Sequence, residues 1–178
     1  ASGSMRTMSC TATDLTSHPA VGGMVIAASD VTDQARVLER MSEQTQLLES
    51  MARGAPLEVT LQQLALMLER RLPRTQTALL VAERADQLRT RAAPSLAREI
   101  VTRLDAIDLS STGAGRQLLG AGSTWVSWDL AAEPRTADDP LRHEHRMEHV
   151  RAAQLLAPGT GELLGAIVAF AQHRNEPT

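Results

Sequence analysis

The segment His143-Glu144-His145-Arg146-Met147-Glu148-His149 is the densest cluster of metal-ligating side chains in the chain. If it is helical, His145 and His149 lie one turn apart on a single face, below Leu141. Two imidazoles at that spacing can hold one metal ion, and Glu148 or Asp139 could add an oxygen. Either His145 or His149 could equally be an axial ligand to a haem iron. A histidine pair without a fixed third ligand also describes a solvated stretch rich in Arg and Glu, and that plainer reading is preferred.

A second cluster is Thr112-Gly113-Ala114-Gly115-Arg116. At a helix start, its backbone N–H groups and the Arg116 guanidinium could receive an anion, although Gly-X-Gly more often marks a plain turn. Trp125 and Trp128 are three residues apart on an expected strand and so face opposite sides of a sheet. One is expected in the core, the other at a ligand pocket or an interface. Gly113, Gly115, Arg116, Trp125 and Trp128 are therefore the candidate ligand-binding residues. No Gly-X-Ser-X-Gly elbow organises the serines and histidines into a hydrolase, and Asp138-Asp139 sits in an expected loop. Cys10 is the single cysteine, which excludes an internal disulfide and a cysteine-ligated metal.

The elements that must position these residues divide the 178-residue chain in two. Ala1 to Ser4, directly before Met5, look like a cloning remnant. Met8–Leu15 and Gly23–Ala28 read as two strands joined around Pro19 and Gly22-Gly23. From Val31 to Ala52 the pattern is helical, with Thr32 or Asp33 as its expected cap. Val31, Leu38, Thr45 and Ala52 recur every seven residues, and Gln34, Met41 and Leu48 fill the intermediate positions. That is a heptad seam suited to a parallel dimer. Its core members are Val31, Leu38, Met41, Thr45 and Leu48. Arg53-Gly54-Ala55-Pro56 breaks the helix.

Beyond the break, Leu57, Leu61, Leu64, Leu68 and Leu72 line one face of a helix. Strands are expected at 78–82, 88–93, 124–129, 152–157 and 163–170, and helices at 95–104, 114–119 and 141–150. Strands that follow one another without helical crossovers imply a largely antiparallel sheet with helices packed on it, an α+β sandwich. The chain is 43% hydrophobic but only 2% aromatic, so Leu, Val, Ala and Met must build the core. All 18 basic residues are arginine, and the net charge of −3 offers no general attraction to nucleic acid or anionic lipid. No stretch reaches the roughly 18 apolar residues that span a bilayer, and no signal-peptide pattern is visible. A cytoplasmic location, without membrane or nucleic-acid partners, is expected.

In order along the chain, Arg53-Gly-Ala-Pro-Leu57, Leu79-Leu-Val81, Ala93-Pro-Ser-Leu96, Trp125-Val-Ser-Trp-Asp129 with Glu133-Pro134, Arg151-Ala-Ala153 and Gly161-Glu-Leu-Leu-Gly165 resemble the landmarks of bacterial GAF domains. Residues 5–30 look like the C-terminal strands of a PAS domain, ending in the Asp30-Val-Thr exit into a linker helix at 31–53. The resemblance implies a GAF domain over 54–175 with a GAF-like antiparallel sheet flanked by helices. A β-hairpin and a long coiled-coil signalling helix would precede it.

It also implies a non-catalytic sensory or regulatory module. Such a module binds a small ligand or relays conformational change through a dimeric helix. The outputs would lie outside this chain, in cyclic-di-GMP GGDEF or EAL domains or a histidine kinase. A haem- or metal-binding sensor using His145 or His149, and a purely structural dimerisation module, are the alternatives. Relatives often carry a Gly-Ser-Cys-Gly segment where this chain has Ser111-Thr-Gly-Ala-Gly115, which removes a thiol sensor and a bilin attachment point. The Asn-Lys and Asp-Glu pattern of cyclic-nucleotide-binding GAF domains is also missing. The cofactor is left open, with none, haem or a metal ion as the choices.

Overall fold

The computed structural model describes residues 5–72, 74–84, 87–105, 109–110, 112–130 and 145–171. The chain divides into two compact units, Ala1–Ser50 and Met51–Thr178.

The first unit is a hairpin followed by a helix. β1 (Met8–Leu15) pairs antiparallel with β2 (Gly23–Asp30), from Met8 opposite Asp30 to Leu15 opposite Gly23. Gly22 turns the chain at φ +59°, a conformation that glycine adopts without strain. Almost every residue of the pair is exposed. α1 (Thr32–Ala52) follows, rich in Leu, Met, Glu, Gln and Arg and free of Gly and Pro. None of its residues is buried.

The joint before α1 is built by Asp30, not by the expected cap at Thr32 or Asp33. Asp30 Oδ1 accepts from the Thr32 N–H at 3.0 Å and from its hydroxyl at 2.5 Å. Asp30 Oδ2 accepts from Arg6 at 2.7 Å. Thr32 Oγ1 in turn accepts the Thr7 N–H, and Thr7 O accepts the Val31 N–H. An Asp two residues upstream reaches the first helical N–H in a local turn of its own, which leaves the threonine hydroxyl to tie down β1.

The second unit is a five-stranded antiparallel sheet between helices. α2 (Leu57–Arg71) opens directly after Pro56, and then come β3 (Thr75–Arg84), β4 (Gln87–Ala92), α3 (Arg98–Asp105) and α4 (Gly113–Gly120). β5 (Val126–Asp129), β6 (His149–Leu156) and β7 (Leu163–Ala171) complete it. The strand order is β4-β3-β7-β6-β5. The mixed, antiparallel architecture is the one expected from the sequence.

Period-two alternation divides the sheet's side chains between two cores. On one face Leu79, Ala92 and Ile167 pack with Ala65, Leu61, Leu64 and Leu68 of α2. On the other, Ala78, Leu80, Ala152, Ala166, Val168 and Phe170 pack with Ile100 and Leu104 of α3 and Leu118 of α4. The buried stripe of α2 differs from the expected leucine row. Leu57 and Leu72 are exposed, whereas Thr60, Ala65 and Met67 are buried. Small residues let the helix backbone approach the sheet, and Thr77 Oγ1 donates to Ala65 O at 3.1 Å.

Thr77, fully buried, lies on β3 short of the point where β4 begins to pair at Leu79. Its N–H donates to Glu69 Oε1 at 2.8 Å, while Glu69 Oε2 accepts from Ser95 at 2.6 Å. One α2 carboxylate thus serves a strand donor that β4 does not reach. At the sheet centre, Gly165 lies opposite Val81, and a Cβ there would overlap the Leu80 carbonyl oxygen. Only glycine permits so close a strand pairing.

Candidate functional site

Strand register builds the floor of a cavity. Val126, Ala152, Val168 and Ala78 stand opposite one another across β5, β6, β7 and β3, and Ala152 and Val168 of this row face the cavity. Trp128, Val150 and Phe170 form the next row on the same face. α3 contributes Ile100, Arg103 and Leu104, and α4 contributes Ala114, Gly115 and Leu118. Leu109, Leu130 and Met147 complete a wall around about 330 Å³. That falls in the size range of small-molecule pockets, which begin at about 300 Å³. Arg103 is the one charged residue among those described on the wall.

The polar groups at its border are already engaged. The Trp128 indole N–H donates to Gln117 Oε1 at 2.8 Å. Thr112 caps α4: its hydroxyl oxygen accepts from the Gly115 N–H at 3.0 Å and its carbonyl accepts from the Arg116 N–H. Gly115 is required for a different reason from anion binding. A Cβ at this position would fall on the backbone of Leu109, so the residue lets α4 close on the preceding segment.

The structure separates the residues singled out in the sequence. Gly115 and Trp128 line the cavity. Gly113 and Arg116 are exposed and absent from its wall, and Arg116 donates to Ser110 O at 3.1 Å. Trp125 lies just before β5, half exposed, and is also absent from the wall.

His145 and His149 do not share a helix face. Arg146 has φ +53°, outside the helical region, and His149 is the first residue of β6, opposite Ala171 and Asp129. His145 borders a smaller, polar recess with Arg74, Gln76 and Ser95. Neither histidine is on the apolar wall, and no group of three or more His, Cys, Asp or Glu among the described residues could hold a metal ion. Asp138, Asp139, Leu141 and His143 lie outside the described residues. The residues that sequence reasoning missed (Leu109, Leu118, Leu130, Met147 and Val150) are ordinary apolar types, and their convergence is a product of topology.

On α1, Leu38, Met41 and Leu48 are 67%, 61% and 56% exposed. Val31 is half-buried, and the Thr45 hydroxyl donates to Met41 O at 2.9 Å. Val37 and Met51, outside the expected seam, are exposed as well. They lie with Gln44 on a row that flanks Met41 and Leu48 from the other side. Among the described residues, no helix is long and apolar enough to cross a membrane.

No protein-family model matches the sequence, and no curated protein is similar to it. Solved structures are similar in fold. The GAF domain of a phosphoenolpyruvate-protein phosphotransferase (ptsP) from Coxiella burnetii is 18% identical, with a TM-score of 0.58 over 78% of this chain and 80% of that one. The phycoerythrobilin-bound GAF domain of a cyanobacterial phytochrome is 10% identical, with a TM-score of 0.57 over 78% and 83%. The A. aeolicus nlh2 GAF domain in an inactive state is 14% identical, with a TM-score of 0.53 over 78% and 82%. At these identities the likeness is one of fold, and the chain has the mixed helix and antiparallel-sheet fold of a GAF domain.

Proposed function

We propose that this chain is a non-catalytic regulatory module whose GAF-fold unit responds to a small ligand or to an upstream change. A dimeric α1 would pass the response to output domains of the same protein. Cyclic-di-GMP GGDEF or EAL domains, or a histidine kinase, are the outputs that suit a PAS–helix–GAF arrangement, with β1 and β2 as the end of the PAS domain.

The observation that carries the reading is the exposed apolar face of α1. Two heptad seams overlap on it and share Met41 and Leu48. One adds Leu38 and Thr45, its expected first member Val31 preceding α1, and the other adds Val37, Gln44 and Met51. On a repeat of 3.5 residues the two seams are about 50° apart around the helix axis. A pair of helices could therefore pack in either of two rotations without losing its central row. Such a two-state element is what a relay requires.

The test is the mass of the full chain in solution, together with cross-linking on a Cys10→Ser background. Met41→Glu puts like charges into both seams and is expected to convert a dimer to a monomer. Leu38→Cys and Val37→Cys are expected to form interchain disulfides in proportions that change with ligand or with the upstream segment. A wild-type monomer at tens of micromolar, or a dimer indifferent to Met41→Glu, would overturn the reading.

A further inference from the structure

The cavity of the second unit also specifies the chemistry of what can enter it. We infer that its ligand is uncharged and apolar, with a body about the size of two fused six-membered rings. This rests on the reading of the unit as a sensor, and it names the class of molecule sensed.

Size sets the first limit. An apolar protein cavity of about 150 Å³ stays dry and accepts benzene. The present cavity, at about 330 Å³, has roughly twice that room. It suits a bicyclic aromatic or a medium-length hydrocarbon chain.

The wall sets the second limit. Leu80, Leu88, Leu104, Leu118, Val168 and Phe170 present only carbon to the interior. The sheet beneath them has its backbone groups committed to the ladders between β3, β7 and β6. At the start of α4 the Gly115 and Arg116 N–H groups are held by Thr112, and the Trp128 N–H is held by Gln117. A nucleotide entering this space would have to strip water from phosphate, ribose and base without regaining those hydrogen bonds from the apolar side chains of the described wall. Arg103 brings a single guanidinium to the described wall, and the residue is not without a partner within the chain. An apolar ring has no hydrogen bonds to lose on entry, and the Trp128 and Phe170 rings on the wall offer it aromatic contacts.

The experiment is calorimetric titration of the full chain with naphthalene, with its charged counterpart naphthalene-1-sulfonate, and with cyclic GMP. Naphthalene is expected to bind with a negative heat-capacity change and to raise the melting temperature. The sulfonate and the cyclic nucleotide are expected to bind at least tenfold more weakly. Ala152→Leu, which fills the floor from β6, is expected to weaken naphthalene at least tenfold while the far-ultraviolet circular dichroism is kept. If that variant does not fold, Val168→Phe fills the same space from β7.

The inference is overturned if naphthalene does not bind, if the sulfonate or cyclic GMP binds as tightly, or if a folded filled variant binds naphthalene undiminished. Naphthalene binding that leaves the Val37 and Leu38 cross-links unchanged would uphold the ligand class and count against the relay alone. Cross-links that respond to the upstream segment, in a protein that binds no naphthalene, would do the reverse.

Discussion

α4 carries two glycines whose replacement by alanine should act in opposite directions. At Gly113 the added methyl meets nothing within 4 Å, and at Gly115 it would meet Leu109 Cα and C at 2.5 and 2.7 Å. Alanine restricts the unfolded chain and favours helix, worth about 0.4–1 kcal/mol where the backbone and surroundings permit it. Gly113→Ala should gain about 0.5 kcal/mol from this. Gly115→Ala has the same gain available but must move backbone atoms, not the tip of a flexible side chain. Overpacking of that kind costs about 1–3 kcal/mol and occasionally more. The collision wins, and the net loss should be about 1–2 kcal/mol, lowering the melting temperature by roughly 2–8 °C. Urea and thermal unfolding of the two variants beside the wild type supply the measurement. The difference in sign is the informative quantity, because errors of extrapolation are common to both. If Gly115→Ala is as stable as Gly113→Ala, then α4 does not close on Leu109 and the wall of the cavity is wrongly drawn.

Other perturbations examine the sheet and the hairpin joint. Glu69→Ala removes the acceptor of the buried Thr77 N–H and should destabilise by about 1–3 kcal/mol in urea, whereas Glu69→Gln keeps a carbonyl oxygen for that donor and should cost clearly less. Asp30 is held below the usual carboxylate range by the Thr32 hydroxyl, the Thr32 N–H and Arg6. A depressed carboxyl stabilises fully above its unfolded value, about 3.9, and that contribution is lost as pH falls through the lower folded value. Hydrogen exchange at Thr32 should therefore accelerate, beyond its intrinsic pH dependence, as pH falls below about 4. In Asp30→Asn that acid-dependent step should be missing, and its persistence would assign it to another group.

Much of the architecture was legible because local patterns agreed with the global ones. Met8–Leu15 was bounded by its turn residues, and the apolar run at 78–82 marked the centre of β3. The short helix expected at 114–119 after the Ser/Gly segment is α4, Gly113–Gly120. The reading failed where a local signal stood alone. The helix expected over 141–150 does not run through: Arg146 leaves the helical region at φ +53°, and His149 already belongs to β6. The leucine row of α2 held only in its middle: Leu61, Leu64 and Leu68 pack toward the sheet, while Leu57 and Leu72 at the helix ends are exposed and Thr60, Ala65 and Met67 are the buried residues.

The cavity illustrates what spacing alone does not carry. Its wall draws on β3, β4, α3, α4, β5, β6 and β7, and no two contiguous residues announce it, apart from the pairs that every helix and strand contains. Trp125 and Trp128 were singled out together by type and by their opposite parity, which left open which of them meets the pocket. What makes Trp128 part of a pocket is its position opposite Val150 and, through Val150, Phe170, together with the bond that α4 offers through Gln117. That bond has a consequence for recognition. An indole N–H left free at the border of the cavity would be a donor within reach of a polar ligand, and Gln117 engages it. Gln117→Leu should therefore weaken the discrimination between naphthalene and its sulfonate by a few fold while leaving naphthalene itself nearly unchanged, as calorimetric titration would record. Discrimination that stays as in the wild type would mean the Trp128 edge does not help set the polarity of the site.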